Sequence, residues 1–183
     1  LFEENLRLKN LLKAIPGKDK SYITAHVVSY PGKPFVKTLL LKGGTDQGIY
    51  SEQPVLTEEG LVGRVIDSGR SSSHVLLITD MNSKIPVLLR STGEHAIVSG
   101  NNTDLLSLKY VSEEYPIKIG EIIVTSGKGG VFPLGIPVGK VINIGEEIKV
   151  LPFSPLNKLS FVMIWASESP QLQETFEKSI SGN

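Results

Sequence analysis

The chain of 183 residues contains no cysteine. That removes disulfides, thiolate nucleophiles and thiolate metal sites together, and it leaves the redox compartment open. Charge of neither sign is in excess: 19 basic residues stand against 19 acidic ones, a formal net of zero. A nucleic-acid binder shows a basic excess or a basic stripe, so DNA and RNA are not expected partners. A net charge near zero also lowers self-repulsion and favours association. Long apolar runs are missing. Stretches such as Val87-Leu88-Leu89 have the length of a strand, well short of the roughly 18 residues that a membrane span needs. No signal-peptide pattern is visible. The three histidines, His26, His74 and His95, are dispersed and give no ligand spacing of the usual kinds, so neither a metal nor a cofactor is expected.

What is present begins with a helix. Residues 1–15, LFEENLRLKNLLKAI, hold no Gly or Pro and are rich in good helix formers. Leu1, Leu8 and Ile15 recur every seven residues, and Asn5 and Leu12 form a second row. Read as a heptad, Asn5 and Leu12 take position a, and Leu1, Leu8 and Ile15 take position d. An Asn at one a position fixes register and a two-stranded state. These five residues are the expected dimer seam, with an amphipathic helix packed on its own domain as the alternative. So short a helix is marginal alone in water, which makes it the expected end of a longer coiled coil. Pro16-Gly17 stops it.

From residue 20 the period changes to that of strands. Twelve candidates follow, at 22–29, 35–41, 54–57, 61–67, 74–78, 84–90, 95–99, 105–111, 121–125, 137–144, 147–151 and 159–165. They are short, β-branched and separated by Gly, Pro, Asn or Ser clusters, a spacing that points to barrels or sandwiches. No helix-period stretch lies between them, which argues against a βαβ sheet. The body also repeats itself. PVLTEEGLVGRVID (54–67) resembles IIVTSGKGGVFPLGIPVGKVIN (122–143), with Gly63 and Gly139 inside strands, where Gly marks a bulge or a tight barrel bend. The expected fold class is all-β: two small barrels of six-stranded type preceded by the coiled-coil helix. The repeat fits contiguous barrels, and it also fits barrels that borrow strands from each other's half. The expected division is helix 1–16, a discontinuous barrel I from 20–58 and 137–167, barrel II from 60–135, and a polar tail 168–183.

Paired barrels raise the possibility of a chymotrypsin-like serine hydrolase. The order His–Asp–Ser can be filled by His26 or His74, Asp80 and Ser126. A serine nucleophile needs a base within hydrogen-bond reach and oxyanion donors beside it. Here Val124 stands two residues before the serine, where such enzymes carry Gly, and Ser126-Gly127-Lys128-Gly129-Gly130 reads as a glycine-rich hairpin loop. The same run is no phosphate loop, because Phe132-Pro133-Leu134-Gly135 follows in place of a helix. The acidic pairs, such as Glu58-Glu59 and Glu113-Glu114, read as solvated surface. The serine hydrolase with Ser126 as nucleophile is therefore the alternative, and no catalytic residue is assigned. What stands out instead is large apolar side chains in Pro/Gly-rich turns: Phe132 and Leu134, and Phe153 and Leu156. They either plug the barrel ends or form an exposed patch for a partner.

Several segments taken together carry a resemblance. They are ENLRLKNLL (4–12), LKGGTDQG (41–48), EGLVGRV (59–65), LLITD (76–80), VTSG (124–127) and FPLGIPVGKV (132–141). In this order and spacing, over roughly residues 3–165, the chain resembles the rod shape-determining protein MreC family. The resemblance implies a non-enzymatic scaffold of bacterial cell-wall elongation, with two β-barrels on the extracytoplasmic side and a single membrane span that this sequence does not contain. It implies a homodimer capable of further self-assembly, and contacts with a class B penicillin-binding protein, with MreD and, from the cytoplasmic side, with MreB. It also implies that the barrels interleave. By position, Gly63, Gly127, Gly135 and Gly139 would shape them.

Overall fold

The structure is a computed structural model that describes residues 21–29 and 37–166. The expected helix and the polar tail lie outside these residues, as do Leu1, Asn5, Leu8, Leu12 and Ile15. The described chain is all-β. Its strands are β1 (Ser21–Ser29), β2 (Thr38–Lys42), β3 (Pro54–Leu56), β4 (Leu61–Ser68), β5 (Ser72–Leu77), β6 (Lys84–Leu89), β7 (His95–Ser99), β8 (Leu106–Lys109), β9 (Ile122–Thr125), β10 (Pro137–Ile144), β11 (Ile148–Pro152) and β12 (Phe161–Ala166). Each coincides with one of the twelve segments expected from the sequence, shifted by a few residues at the ends. The reason is the period-two alternation. In β6, Ile85, Val87 and Leu89 point inward and are buried, and in β12 Val162 and Ile164 do the same.

The strands close into two six-stranded barrels. One has the order β1-β12-β3-β4-β5-β2 and the other β10-β11-β8-β7-β6-β9, all pairs antiparallel. Closure leaves no free sheet edge. The two orders are the same once β1–β5 are matched to β7–β11 and β12 is matched to β6. β12 lies between β1 and β3, and β6 lies between β7 and β9. The chain is thus two successive six-strand units, each of which places its last strand in the other unit's barrel.

This arrangement corrects the division drawn from the sequence. β4 and β5 belong to the first barrel and not the second, and β10 and β11 belong to the second and not the first. The exchange involves one strand from each half. The physical reason is local: β3–β4–β5 and β9–β10–β11 are consecutive hairpins, and short connections keep their strands adjacent. The internal repeat falls on these two hairpins. Gly63 faces Leu77 and Gly139 faces Pro152 in register, and the register shifts after Val65 in one copy and after Val141 in the other. A Cβ built on Gly63 would lie 1.9 Å from the Leu76 carbonyl oxygen, and one on Gly139 would lie 2.3 Å from that of Leu151. Close approach of the facing backbone therefore requires glycine at both places. Buried side chains of both barrels form one continuous core cluster.

Candidate functional site

Where β6 and β12 cross between the barrels, the motifs of the sequence become joints. Ser154, on the connection into β12, donates its hydroxyl to the Gly60 carbonyl oxygen at 2.8 Å and lies 2.8 Å from Thr57 Oγ1. A Cβ on Gly60 would sit 2.7 Å from the Pro137 carbonyl oxygen and 3.2 Å from Phe153 Cβ, so the two hairpin units touch at this glycine. On the crossing into β6, Asp80 is fully buried. Its Oδ2 accepts the Lys37 N–H at 2.9 Å, and its Oδ1 accepts that of Asn82 at 2.8 Å. A buried carboxylate persists where its lone pairs are matched by donors, and here the donors are main-chain groups that fix the crossing.

The VTSG motif has a similar purpose. Thr125 is fully buried; its hydroxyl donates to the Pro133 carbonyl oxygen and accepts the Ile136 N–H at 2.8 Å. One side chain thereby ties both sides of the 126–135 loop to β9. Within that loop Phe132 is buried in the core, and Leu134 is 57% exposed. Leu156 is buried and Phe153 half-buried. Phe132 and Leu156 are therefore packed into the core cluster and not presented as an exposed patch. Of the four, Leu134 is the one presented to solvent.

The structure sends the residues of the hydrolase reading to separate tasks. His26 stacks edge-to-face on Phe161 with ring centroids 4.6 Å apart. His74 Nδ1 faces Asp67 Oδ2 at 3.5 Å across the β4–β5 hairpin. Asp80 is committed to main-chain donors, as above. Ser126 Oγ accepts the Lys128 N–H at 3.3 Å. The His–Asp–Ser order in the sequence is not assembled into a relay.

Two features were not singled out from the sequence. The first is the β8–β9 connection, which exposes Tyr110 (80%), Tyr115 and Ile119 while Val111 and Ile117 pack on the core. Alternation inside an irregular segment made these residues look like the end of a strand and a polar turn. The second is a cleft of about 910 Å³ between the barrels, with Tyr50, Glu52 and Trp165 on one side and the 126–134 loop and His95 on the other. Its lining comes from segments far apart in the chain, so no local pattern announces it. Two ionisable groups are displaced. Burial pushes the Tyr22 phenol up to about 12, and its hydroxyl is buried with no hydrogen-bond partner among the described residues. Glu147 is held below the usual carboxylate range by its hydrogen bond from Lys149.

Paired six-stranded barrels that exchange a strand and present apolar side chains from their loops place the chain among double-β-barrel modules. The family model described as "Rod shape-determining protein MreC, barrel core" matches residues 27–166. The cell shape-determining protein MreC of Caulobacter vibrioides is 38% identical over 165 residues, which cover 90% of this chain and 48% of that protein. The crystal structure of MreC from Pseudomonas aeruginosa has a TM-score of 0.74 at 30% identity, covering 79% of this chain and 98% of that one. The same fold recurs, at 15% identity and a TM-score of 0.63, in a complex between penicillin-binding protein PBP2 and MreC from Helicobacter pylori, covering 82% of this chain and 100% of that one. The chain belongs to the MreC family of cell shape-determining proteins. It spans about half the length of the curated relatives it matches.

Proposed function

We propose that this chain is the extracytoplasmic scaffold part of a bacterial rod complex and works by binding a class B penicillin-binding protein without chemistry of its own. In this reading residues 1–15 dimerise it through Leu1, Asn5, Leu8, Leu12 and Ile15. A membrane anchor outside this sequence joins it to MreD and, across the membrane, to MreB. Further self-assembly of the dimer belongs to the same proposal.

The observation that carries the reading is the β8–β9 connection. Tyr110, Tyr115 and Ile119 are exposed from a segment pinned at both ends by β8 and β9 and from below by Val111 and Ile117. Rigidly mounted aromatic and aliphatic side chains are what interface centres use, because little side-chain entropy is lost when they are covered. Tyr110 stands at φ +60°, an uncommon backbone state for a residue with a side chain, which turns its ring outward. The likeness in fold to the MreC of the Helicobacter pylori complex supports the choice of partner. The test is biolayer interferometry between this chain and the extracellular part of a class B penicillin-binding protein from the same cell. Saturable binding at micromolar affinity or tighter, lost in Tyr110→Ser/Ile119→Ser, supports the scaffold. Binding that is indifferent to both substitutions moves the interface elsewhere, and no binding at all with a membrane-reconstituted full-length pair rejects this partner.

A further inference from the structure

We propose that the cleft between the barrels captures the free C-terminal carboxylate of a peptide whose last side chain is apolar. The argument starts from the loop Ser126-Gly127-Lys128-Gly129-Gly130. Gly127, Gly129 and Gly130 have φ values of +78°, +78° and +74°. A Cβ added at Gly129 or Gly130 would meet nothing within 4 Å, so packing does not require glycine there. The backbone conformation does. All three glycines line the open cleft. Lys128 N–H bonds Ser126 Oγ, and Gly130 N–H makes a long 3.4 Å contact with the Gly127 carbonyl oxygen. The N–H groups of Gly127, Gly129 and Val131 donate to no acceptor among the described residues. Successive amides in such a turn form a concavity for an anion, and the end of a peptide chain is one of the anions such concavities take.

The charge on the cleft agrees. Glu52, on the opposite side, is tied to Arg64 at 2.7 Å. Lys128, exposed beside the glycines, has no ion-pair partner among the described residues, so its charge is the uncompensated one of the cleft wall. The lining also has an apolar face: Val131, Pro133 and the exposed Leu134 line the cleft together with Trp165 of the first barrel. Trp165 is oriented in advance, since Tyr22 holds it edge-on at 5.6 Å and 81°. A free phosphate would use the amides and Lys128 and leave the apolar wall idle. An internal peptide segment would do the reverse. A chain terminus with an apolar last residue uses both. This site lies apart from the β8–β9 surface, so either reading can fail alone.

Trp165 is the chain's only tryptophan and reports on the cleft directly. The experiment titrates the whole chain with hexapeptides ending in Leu, Phe or Val, each as the free acid and as the C-terminal amide. Trp165 emission and isothermal calorimetry are read on the same samples, so a silent indole does not hide binding. The expected result is saturable binding of at least one free acid, at least tenfold weaker binding of its amide, and about a fivefold loss for the free acid alone in Lys128→Gln. Equal binding of acid and amide overturns the proposal. So do binding of no peptide and full competition by inorganic phosphate at the same concentration as the peptide.

Discussion

The Ser154 hydroxyl donates to the main-chain carbonyl of Gly60 across the boundary between the barrels, at 2.8 Å. It is the end of a chain of donors: Glu59 N–H to Thr57 Oγ1 at 3.1 Å, Thr57 Oγ1 to Ser154 Oγ at 2.8 Å, and Ser154 to Gly60. Each hydroxyl both accepts and donates, and such chains polarise one another in a buried setting. Ser154 is buried, so water does not replace it. Ser154→Ala is expected to cost about 1–3 kcal/mol, the range for a buried hydrogen bond broken on one side. Urea unfolding of the two proteins measures it. A midpoint equal to that of the parent would mean the joint rests on packing at Gly60 alone.

The two copies of the repeat predict matched behaviour. Gly63→Ala and Gly139→Ala each drive a methyl group into a facing carbonyl, at 1.9 Å and 2.3 Å. Both are expected to destabilise by about 3 kcal/mol or more, since backbone must shift to admit the atom. Gly129→Ala meets open space and only the unfavourable φ of +78°. It is expected to cost about 1 kcal/mol. Thermal unfolding of the three variants separates collision from backbone strain. A Gly129 variant as damaged as the other two would contradict the distinction.

Tyr22 predicts an alkaline weakness. Its folded pKa is about 12 against an ordinary 10.0, raised by burial. The folded state therefore keeps the proton where the unfolded chain gives it up. Between pH 10 and pH 12 the unfolded state binds fewer protons, so stability falls as pH rises and is fully present below pH 10. The loss is of the order of 2 kcal/mol before solvent screening reduces it. Tyr22→Phe removes both the titration and a buried hydroxyl without a partner among the described residues. The variant is expected to match or exceed the parent at pH 7, and to lose less between pH 9 and pH 11. Denaturant unfolding at those three values decides it, and parallel losses in both proteins would assign the alkaline effect to other groups.

The heptad of residues 1–15 carries its own test. Replacing Leu8 and Leu12 with Asp puts charge into the proposed seam, where each buried carboxylate lacks a partner. Sedimentation of the variant is expected to give the mass of one chain, with circular dichroism in the β region unchanged. A dimer of unaltered mass would place self-association on the barrels.

Much of the fold was legible because it is written locally. Period-two alternation marks strands such as β2, β6 and β9, and the paired V-G-[RK]-V-I segments mark the two equivalent hairpins. What was not legible is which barrel each strand joins. β6 and β12 carry the same inward alternation as their neighbours, and Val87 or Ile164 would bury equally well in either barrel. The choice is made at the crossings, by Asp80 accepting from Lys37 and by Ser154 reaching Gly60, contacts between residues far apart in the chain. The same limit applies to Phe132 and Leu134, two residues apart in one loop. Their burial is decided by Thr125, whose hydroxyl fixes the loop on both sides and whose role no spacing reveals.

That pair leads to the prediction that separates architecture from interaction. Phe132 is buried in the core, and deleting its ring leaves a cavity that the two barrel ends must enclose. Phe132→Ala is expected to cost about 3–5 kcal/mol, the usual range for a buried Phe cut to Ala. Any loss of partner binding should then track the fraction unfolded and disappear when binding is measured on the folded fraction. Tyr110 is 80% exposed, and Tyr110→Ser should change stability by no more than about 0.5 kcal/mol. Its effect on affinity for the penicillin-binding protein is expected to be at least tenfold, as for an aromatic interface residue, and to persist in fully folded protein. Measuring unfolding midpoint and affinity on both variants places each residue on one axis. If Phe132→Ala weakens binding while leaving the midpoint unmoved, the 126–135 loop is itself the docking surface and the β8–β9 connection is not.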